Sequence, residues 1–380
     1  MTLIRNAWYV AAWPDQVTSD GLLARTICEQ PLVLFRGPDG QPVALEDRCP
    51  HRLMPLSAGW IDDSCTVRCG YHGLRFDRDG RCVEVPGQSR IPERAAVRTF
   101  ATVEKYGYIW VWPGDPAKAD RGMVPEIFEP NDHPDWTVIR GVTHVAGNYQ
   151  LLNDNLLDLT HETFLHRESL GDDNIPEFPI TIEQDGDHVT VTRWILDHVP
   201  APFWRAALAK GDVRCDRWQI VHFAPPSTLL LEVGVAPTGT GAPDGDRSHG
   251  VEGFNSHAMT PIDEHSTWYF YSFGRKFQRD DETLNQRLHT AVAGIIEQDR
   301  IAIEKIATVM ARDDGRELVN LKADGGALRA RRIVQHLEND EVSSAASNGS
   351  ITSPAGDAPA ELRPRAGVLA APHGHPDAVT

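Results

Sequence analysis

The sequence predicts an α+β protein in which a small all-β domain is followed by a mixed α+β domain. Three observations carry the prediction. Short apolar runs broken by turn residues fill the first third, apolar residues recur at helical spacing between Asn148 and His166, and one long amphipathic segment runs from Leu284 to Met310. In chain order, the apolar run Pro31–Phe35, the turn Gly37-Pro38-Asp39-Gly40, the run Val43–Leu45 and later the run Tyr108–Trp112 read as short strands and turns of a small β-domain. The turn Pro113-Gly114-Asp115-Pro116 and the polar stretch to Arg121 mark a boundary, giving a first domain over residues 1–115 and a second over 116–340. In the second, Val189–Ile195 and Thr228–Val235 read as strands. The Leu284–Met310 helix presents Val292, Ile295, Ile296, Ile303 and Ile306 as one stripe for packing on a sheet. Beyond Leu337 the text turns to Ser, Ala, Pro and Gly without hydrophobic period, so residues 341–380 are expected to form a disordered tail.

Composition narrows the function. The 380 residues carry 37 basic and 54 acidic side chains, a formal charge of −17, which argues against nucleic acid as a partner. No apolar run reaches the length of a membrane span, and the Ala7–Trp13 stretch stops at Pro14-Asp15, so the chain reads as mature and cytoplasmic. Six cysteines are too few for a disulfide scaffold, and four of them fall between 49 and 82. Clustered cysteines with interleaved histidines point to metal.

Cys49-Pro50-His51 and Cys69-Gly70-Tyr71-His72 are two short loops, each offering one thiolate and one imidazole. Zinc accepts two sulfurs and two nitrogens, but its usual spacing pairs like with like, two or more residues apart. A Rieske [2Fe–2S] centre needs the mixture, because both cysteines bind one iron and both histidines the other. Gly70 and Gly73 let the second loop's backbone approach inorganic sulfide.

A second constellation lies on the helical stretch, where Asp158 precedes His161 by three residues and His166 follows by five. At about 100° per residue Asp158 and His161 share a face, while His161 and His166 splay by about 140°. If both bind one metal, the helix is distorted or interrupted between them; otherwise these are solvated polar residues. Far along the chain, Asp299 points into the apolar stripe of the long helix, with Glu297 on the opposite side. A core-facing carboxylate pairs with an arginine or holds a cation. In the second case His161, His166 and Asp299 make the facial triad of non-haem Fe(II), with open coordination positions.

Together, Cys-x-His, Cys-x2-His and Asn-x2-Asp-x2-His-x4-His resemble the Rieske non-haem iron oxygenases, from Asn6-Ala7-Trp8-Tyr9 to about Leu337. Asp158–Phe164, Asp216–Ile220, Glu232–Ala236 and Asp324–Arg332 resemble the branch whose oxygenase components O-demethylate vanillate. The resemblance implies an N-terminal all-β Rieske domain, a C-terminal helix-grip domain of antiparallel sheet with helices, and a homotrimer. It implies a separate NAD(P)H-dependent flavin and iron–sulfur reductase, and an aromatic acid and O₂ as substrates. Vanillate would yield protocatechuate and formaldehyde; other aromatic acids, ring or methyl hydroxylation, and an electron carrier without oxygenase activity stay open. By the same resemblance Asp158 is a bridging carboxylate, hydrogen-bonded to His161 in its own subunit and to the neighbour's equivalent of His72. Asn155 is a polar residue near the iron, and His257 is either a substrate contact or a hydrogen-bonded core histidine.

Arg48, Arg52, Arg68, Arg75, Arg78 and Arg81 form a basic collar around the cluster loops. It either steers an acidic reductase or is spent on acidic residues and solvent. Cys28, Cys65, Cys82 and Cys215 have no assigned role, and small buried residues are their default.

Overall fold

A computed structural model describes residues 3–167, 170, 175–208, 213–313 and 315–349 of the chain. The first ten strands precede Pro113: β1 Tyr9–Ala12, β2 Leu23–Ile27, β3 Gln30–Arg36, β4 Pro42–Glu46, β5 Trp60–Ile61, β6 Val67–Arg68, β7 Arg75–Phe76, β8 Cys82–Glu84, β9 Thr99–Lys105 and β10 Tyr108–Trp112. Six form one sheet in the order β1-β10-β9-β4-β3-β2, and β5-β6-β7-β8 form a second, smaller one. The β3–β4 hairpin shows why the text reads as strand. Leu32–Phe35 and Val43–Leu45 are buried without alternation, so both faces are covered, and the turn between them closes through Gly37 N–H to Gln41 O at 2.9 Å. Gly40 at φ 76° supplies the left-handed residue of that turn.

The second sheet system begins with β11 Thr137–Val145. It is followed by α1 Tyr149–Leu157, α2 His161–Leu165, β12 Ile180–Asp185, β13 His188–His198, α3 Pro202–Leu208, β14 Cys215–Ala224, β15 Thr228–Pro237, β16 Val251–Pro261 and β17 Thr267–Arg275. Two long helices, α4 Glu282–Met310 and α5 Gly325–Gly349, complete it. The seven strands make an antiparallel sheet in the order β11-β17-β16-β15-β14-β13-β12. Period-two alternation puts Arg193, Arg217, Gln219, His257 and Tyr271 on one face, and Trp218, Phe254 and Phe270 on the other. The helices cover the first face: α1 lies on β14–β16, α4 on β11, and Arg331 of α5 donates through Nε to both oxygens of Asp154 on α1 at 2.9 Å. The main core joins Ile109 and Val111 to Val191, Val221, Leu229, Ile296 and Ile303, while Trp8, Tyr108, Trp110 and Phe128 pack against Phe254 and Phe270. By contacts a compact unit ends at Glu341, and all seventeen strands of the described residues lie in it.

The expected elements are present, with three corrections. The single helix over 148–166 is two, because α1 stops at its C-cap Asp158, whose φ −95° and ψ 98° are extended. Interruption therefore precedes His161, and α2 ends as His166 leaves helical geometry at φ −106° and ψ 27°. Along α4 the buried residues are Leu288, Ile296, Asp299 and Ile303, but Ile306 is exposed, so the stripe is covered only as far as Ile303. The tail expected from 341 starts inside α5, which runs to Gly349; residues 350–380 lie outside the described residues.

Candidate metal centres

The two cysteine loops are built alike. Cys49 N–H donates to Met54 O at 2.9 Å and Leu53 N–H returns to Cys49 O at 2.9 Å. In the second loop Cys69 N–H donates to Leu74 O at 2.8 Å and Gly73 N–H returns to Cys69 O at 3.0 Å. The residue four after each cysteine is left-handed, Leu53 at φ 60° and Gly73 at φ 74°. Both turns aim the thiol inward and the imidazole outward. Cys49 and Cys69 are buried over Val33, Phe35, Leu56 and Phe76, whereas His51 and His72 are exposed with ring centroids 4.4 Å apart. Burial pushes the Cys49 thiol up to about 11, a neutral state from which a bound metal would displace the proton. Two adjacent sulfurs inside and two adjacent nitrogens outside fit a cluster with sulfur donors on one iron and nitrogen donors on the other. Gly70 is required by space: a Cβ there would lie 2.7 Å from Ala58 O.

The basic collar is largely spent within the chain. Arg48 pairs with Glu46, Arg68 with Glu84 at 3.2 Å, Arg75 with Glu84 at 3.4 Å and with Asp62 at 3.5 Å, and Arg78 with Asp39 at 2.7 Å. Arg52 and Arg81 stand exposed. Of the four other cysteines, Cys28, Cys82 and Cys215 are buried and Cys65 half-buried, and none of the six forms a disulfide.

On the helix side, the short interrupted helices solve the problem that a regular helix poses. His161 and His166 lie with ring centroids 5.2 Å apart and converge on Asp299 Oδ1, which is 3.7 Å from His161 Nε2 and 3.3 Å from His166 Nε2. The three residues offer donor atoms all within 4.8 Å of one another. The Asp299 carboxylate is almost fully buried, and the partners it has are the two histidines and Asn155, whose Nδ2 donates to Oδ1 at 3.0 Å. Among the described residues no arginine pairs with it, so the salt-bridge alternative is not what this structure shows. Each imidazole is held from behind: His161 Nδ1 faces the backbone carbonyl of Asp158, and His166 Nδ1 lies 2.7 Å from Gln298 Oε1. A donating Nδ1–H leaves the Nε2 lone pair on the Asp299 side, the tautomer a metal ligand needs. Burial disfavours charge on His166, but hydrogen bonding and charge from Asp299, with Gln298 behind, raise its pKa above the ordinary value. Two imidazole nitrogens and one buried carboxylate on one side fit a divalent iron.

Asp158 departs from expectation. Its carbonyl, not its carboxylate, meets His161, and the carboxylate Oδ1 accepts from Thr160 N–H at 2.7 Å. His257 is buried, its Nδ1 2.8 Å from the Tyr269 hydroxyl, and its Nε2 has no hydrogen-bond partner. Burial lowers its pKa to about 4, an effect the Asp299 charge partly offsets. Sequence reasoning missed Gln298, whose only signal is its place beside Asp299. It also missed Glu162, Arg193, Arg217 and Gln219, buried polar residues on α2, β13 and β14.

An all-β domain with paired Cys/His turns, joined to a seven-stranded sheet that carries a buried two-histidine, one-carboxylate set, defines a Rieske non-haem iron oxygenase. Comparison with known proteins bears this out. Residues 7–101 match the Rieske [2Fe–2S] domain, and residues 145–340 match the vanillate O-demethylase oxygenase C-terminal domain. The chain belongs to the vanillate O-demethylase oxygenase family, and so carries a [2Fe–2S] cluster and a mononuclear iron. It is 38% identical over 337 residues to the vanillate O-demethylase oxygenase subunit of a Pseudomonas species, covering 88% of this chain and 94% of that one. It is also 38% identical to the iron–sulfur subunit of a toluene-4-sulfonate monooxygenase system from Comamonas testosteroni, over 88% and 96% of the two chains. A crystal structure of dicamba monooxygenase bound to 3,6-dichlorosalicylic acid superposes with a TM-score of 0.85 at 34% identity, covering 90% of this chain and 99% of that one. As the oxygenase component of a multicomponent system, the chain works with a reductase on an aromatic substrate. No helix among the described residues is long and apolar enough to cross a membrane.

Proposed function

We propose that this oxygenase O-demethylates a methoxylated aromatic acid, with vanillate converted to protocatechuate and formaldehyde, O₂ as oxidant and an NAD(P)H-dependent flavin and iron–sulfur reductase as electron source. The observation that carries the reading is the pairing, in one chain, of an exposed His51/His72 edge with the buried convergence of His161, His166 and Asp299. The first set, with Cys49 and Cys69, holds the cluster, and the second holds the mononuclear iron. When bound, these groups supply electron transfer and the reduction of O₂ coupled to methyl oxidation. An electron carrier with no oxygenase activity has no use for the second set.

The chain's own residues do the rest. Asn155 orients Asp299 through Oδ1, Gln298 and the Asp158 carbonyl fix the histidine tautomers, and the buried Nε2 of His257 offers a neutral polar contact to an aromatic acid. Asp158, at the hinge between α1 and α2, couples His161 to a neighbouring subunit's cluster, a role that its backbone carbonyl contact with His161 Nδ1 supports. The exposure of His51 and His72 supports such delivery across a boundary, in the homotrimer that the family resemblance implies. Six cysteines without a disulfide support a cytoplasmic setting.

Formaldehyde release from a panel of methoxybenzoates, driven by a surrogate reductase, tests the reading. Vanillate is expected to give stoichiometric formaldehyde and protocatechuate. Hydroxymethyl or ring-hydroxylated products without formaldehyde would replace demethylation with the methyl- or ring-hydroxylating alternative.

A further inference from the structure

We infer that Glu162, held by Arg217 and Gln219, is a positioning residue for the iron-binding histidines; this rests on the reading that His161, His166 and Asp299 hold the mononuclear iron. The Glu162 carboxylate accepts from Arg217 Nη2 at 2.7 Å, and its other oxygen accepts from Gln219 Nε2. Arg217 and Gln219 are two residues apart on β14 and so share the helix-facing side of the sheet. Arg193 lies opposite Gln219 on β13. Its Nη1 donates to Leu159 O at 2.7 Å and its Nη2 to Thr160 Oγ1 at 3.1 Å. Three side chains from two adjacent strands thus grip residues 159, 160 and 162, on both sides of His161.

The grip is needed because α2 has little else. Five residues cannot sustain a helix by propagation alone, and its N-cap Thr160 makes no side-chain capping bond. Its one aromatic residue, Phe164, is 72% exposed, so apolar packing does little to seat the turn. Nor is stability an adequate reason for the grip. All four polar residues are buried, and Arg193 Nε, Arg217 Nε and Gln219 Oε1 have no hydrogen-bond partner. A buried ionic cluster left partly unsatisfied is a poorer stabiliser than apolar residues of the same volume. What it provides instead is a fixed geometry: a bidentate carboxylate and a forked guanidinium define where the turn sits far more narrowly than side chains that slide.

The test uses the full-length protein with its cluster intact, stripped of mononuclear metal and titrated with Co(II) by calorimetry. Glu162→Met/Arg217→Met together remove the charges at near-constant volume. That variant is expected to keep the rhombic EPR signal of the reduced cluster and a melting temperature at or above wild type, while binding Co(II) about 10- to 100-fold more weakly. A merely structural pair would move stability and leave Co(II) affinity alone. Glu162→Gln, which keeps the side-chain volume, is measured in parallel and decides the matter if the double variant does not fold. Asp299→Ala is the control for the underlying reading and is expected to lose Co(II) binding. Affinity within threefold of wild type in the folded Glu162 variants, with Asp299→Ala inactive in binding, overturns the positioning role; unchanged binding in Asp299→Ala overturns the site itself.

Discussion

Asp299 Oδ1 is the atom on which the catalytic half converges, since His161, His166 and Asn155 all reach it. Replacing Asp299 by Ala should therefore empty the mononuclear site and take formaldehyde release to background while iron analysis and EPR still report the [2Fe–2S] cluster. Retention of the third iron would move the carboxylate ligand elsewhere. His257 makes a different prediction, because burial holds it neutral to about pH 4. An unfolded histidine binds its proton at about pH 6.5, so between about 6.5 and 4 the unfolded chain takes up a proton that the folded chain declines. Folding stability contributed through His257 accordingly falls as pH drops through that window. His257→Gln should flatten the decline in urea midpoint between pH 7 and pH 4.5, and an unchanged slope would show that the ring titrates normally in the folded protein.

At the level of elements, the cluster loops and the α1–α2 break impose opposite demands. The loops must come close: Gly70→Ala puts a methyl 2.7 Å from Ala58 O, and the expected result is colourless protein that has lost its cluster yet keeps native far-UV dichroism. Wild-type visible absorption in that variant would show that the loops can separate without cost. The α1–α2 segment must instead be held from the sheet. Arg217→Ala leaves the Glu162 carboxylate buried without its charge partner, a change worth about 3–5 kcal/mol of stability, read as a lowered urea midpoint. A loss under about 1 kcal/mol would mean that the pair is solvated in the working enzyme.

For the whole molecule, the balance between local and distant information explains what was legible. The convergence of Cys49 and Cys69 with His51 and His72 could be read because each Cys/His pair sits in one short loop, where spacing alone fixes the geometry. His161, His166 and Asp299 could be matched because a carboxylate in an apolar stripe needs a cation or a partner. The break at Asp158 could not be read, since α1 and α2 together keep a helical apolar pattern and only tertiary contacts decide where the backbone turns. Glu162, Arg193, Arg217 and Gln219 meet only after β13 and β14 pair, and nothing in their own neighbourhoods announces it. Which of the two readings of the collar holds could not be read for the same reason: its partners Asp39, Asp62 and Glu84 reach Arg68, Arg75 and Arg78 only in the folded loops. Arg78→Glu should then leave the rate of reductase-driven turnover and its salt dependence as they are, and a changed salt slope in stopped-flow reduction of the cluster would assign it to docking. Finally, the two metal sets differ in when a growing polypeptide can complete them. Every proposed cluster donor lies between Cys49 and His72, whereas the last proposed donor for the lone iron waits at Asp299. Iron–sulfur loading can thus begin on a nascent chain still being synthesised, whereas the mononuclear site is open to metal only once Asp299 has been added.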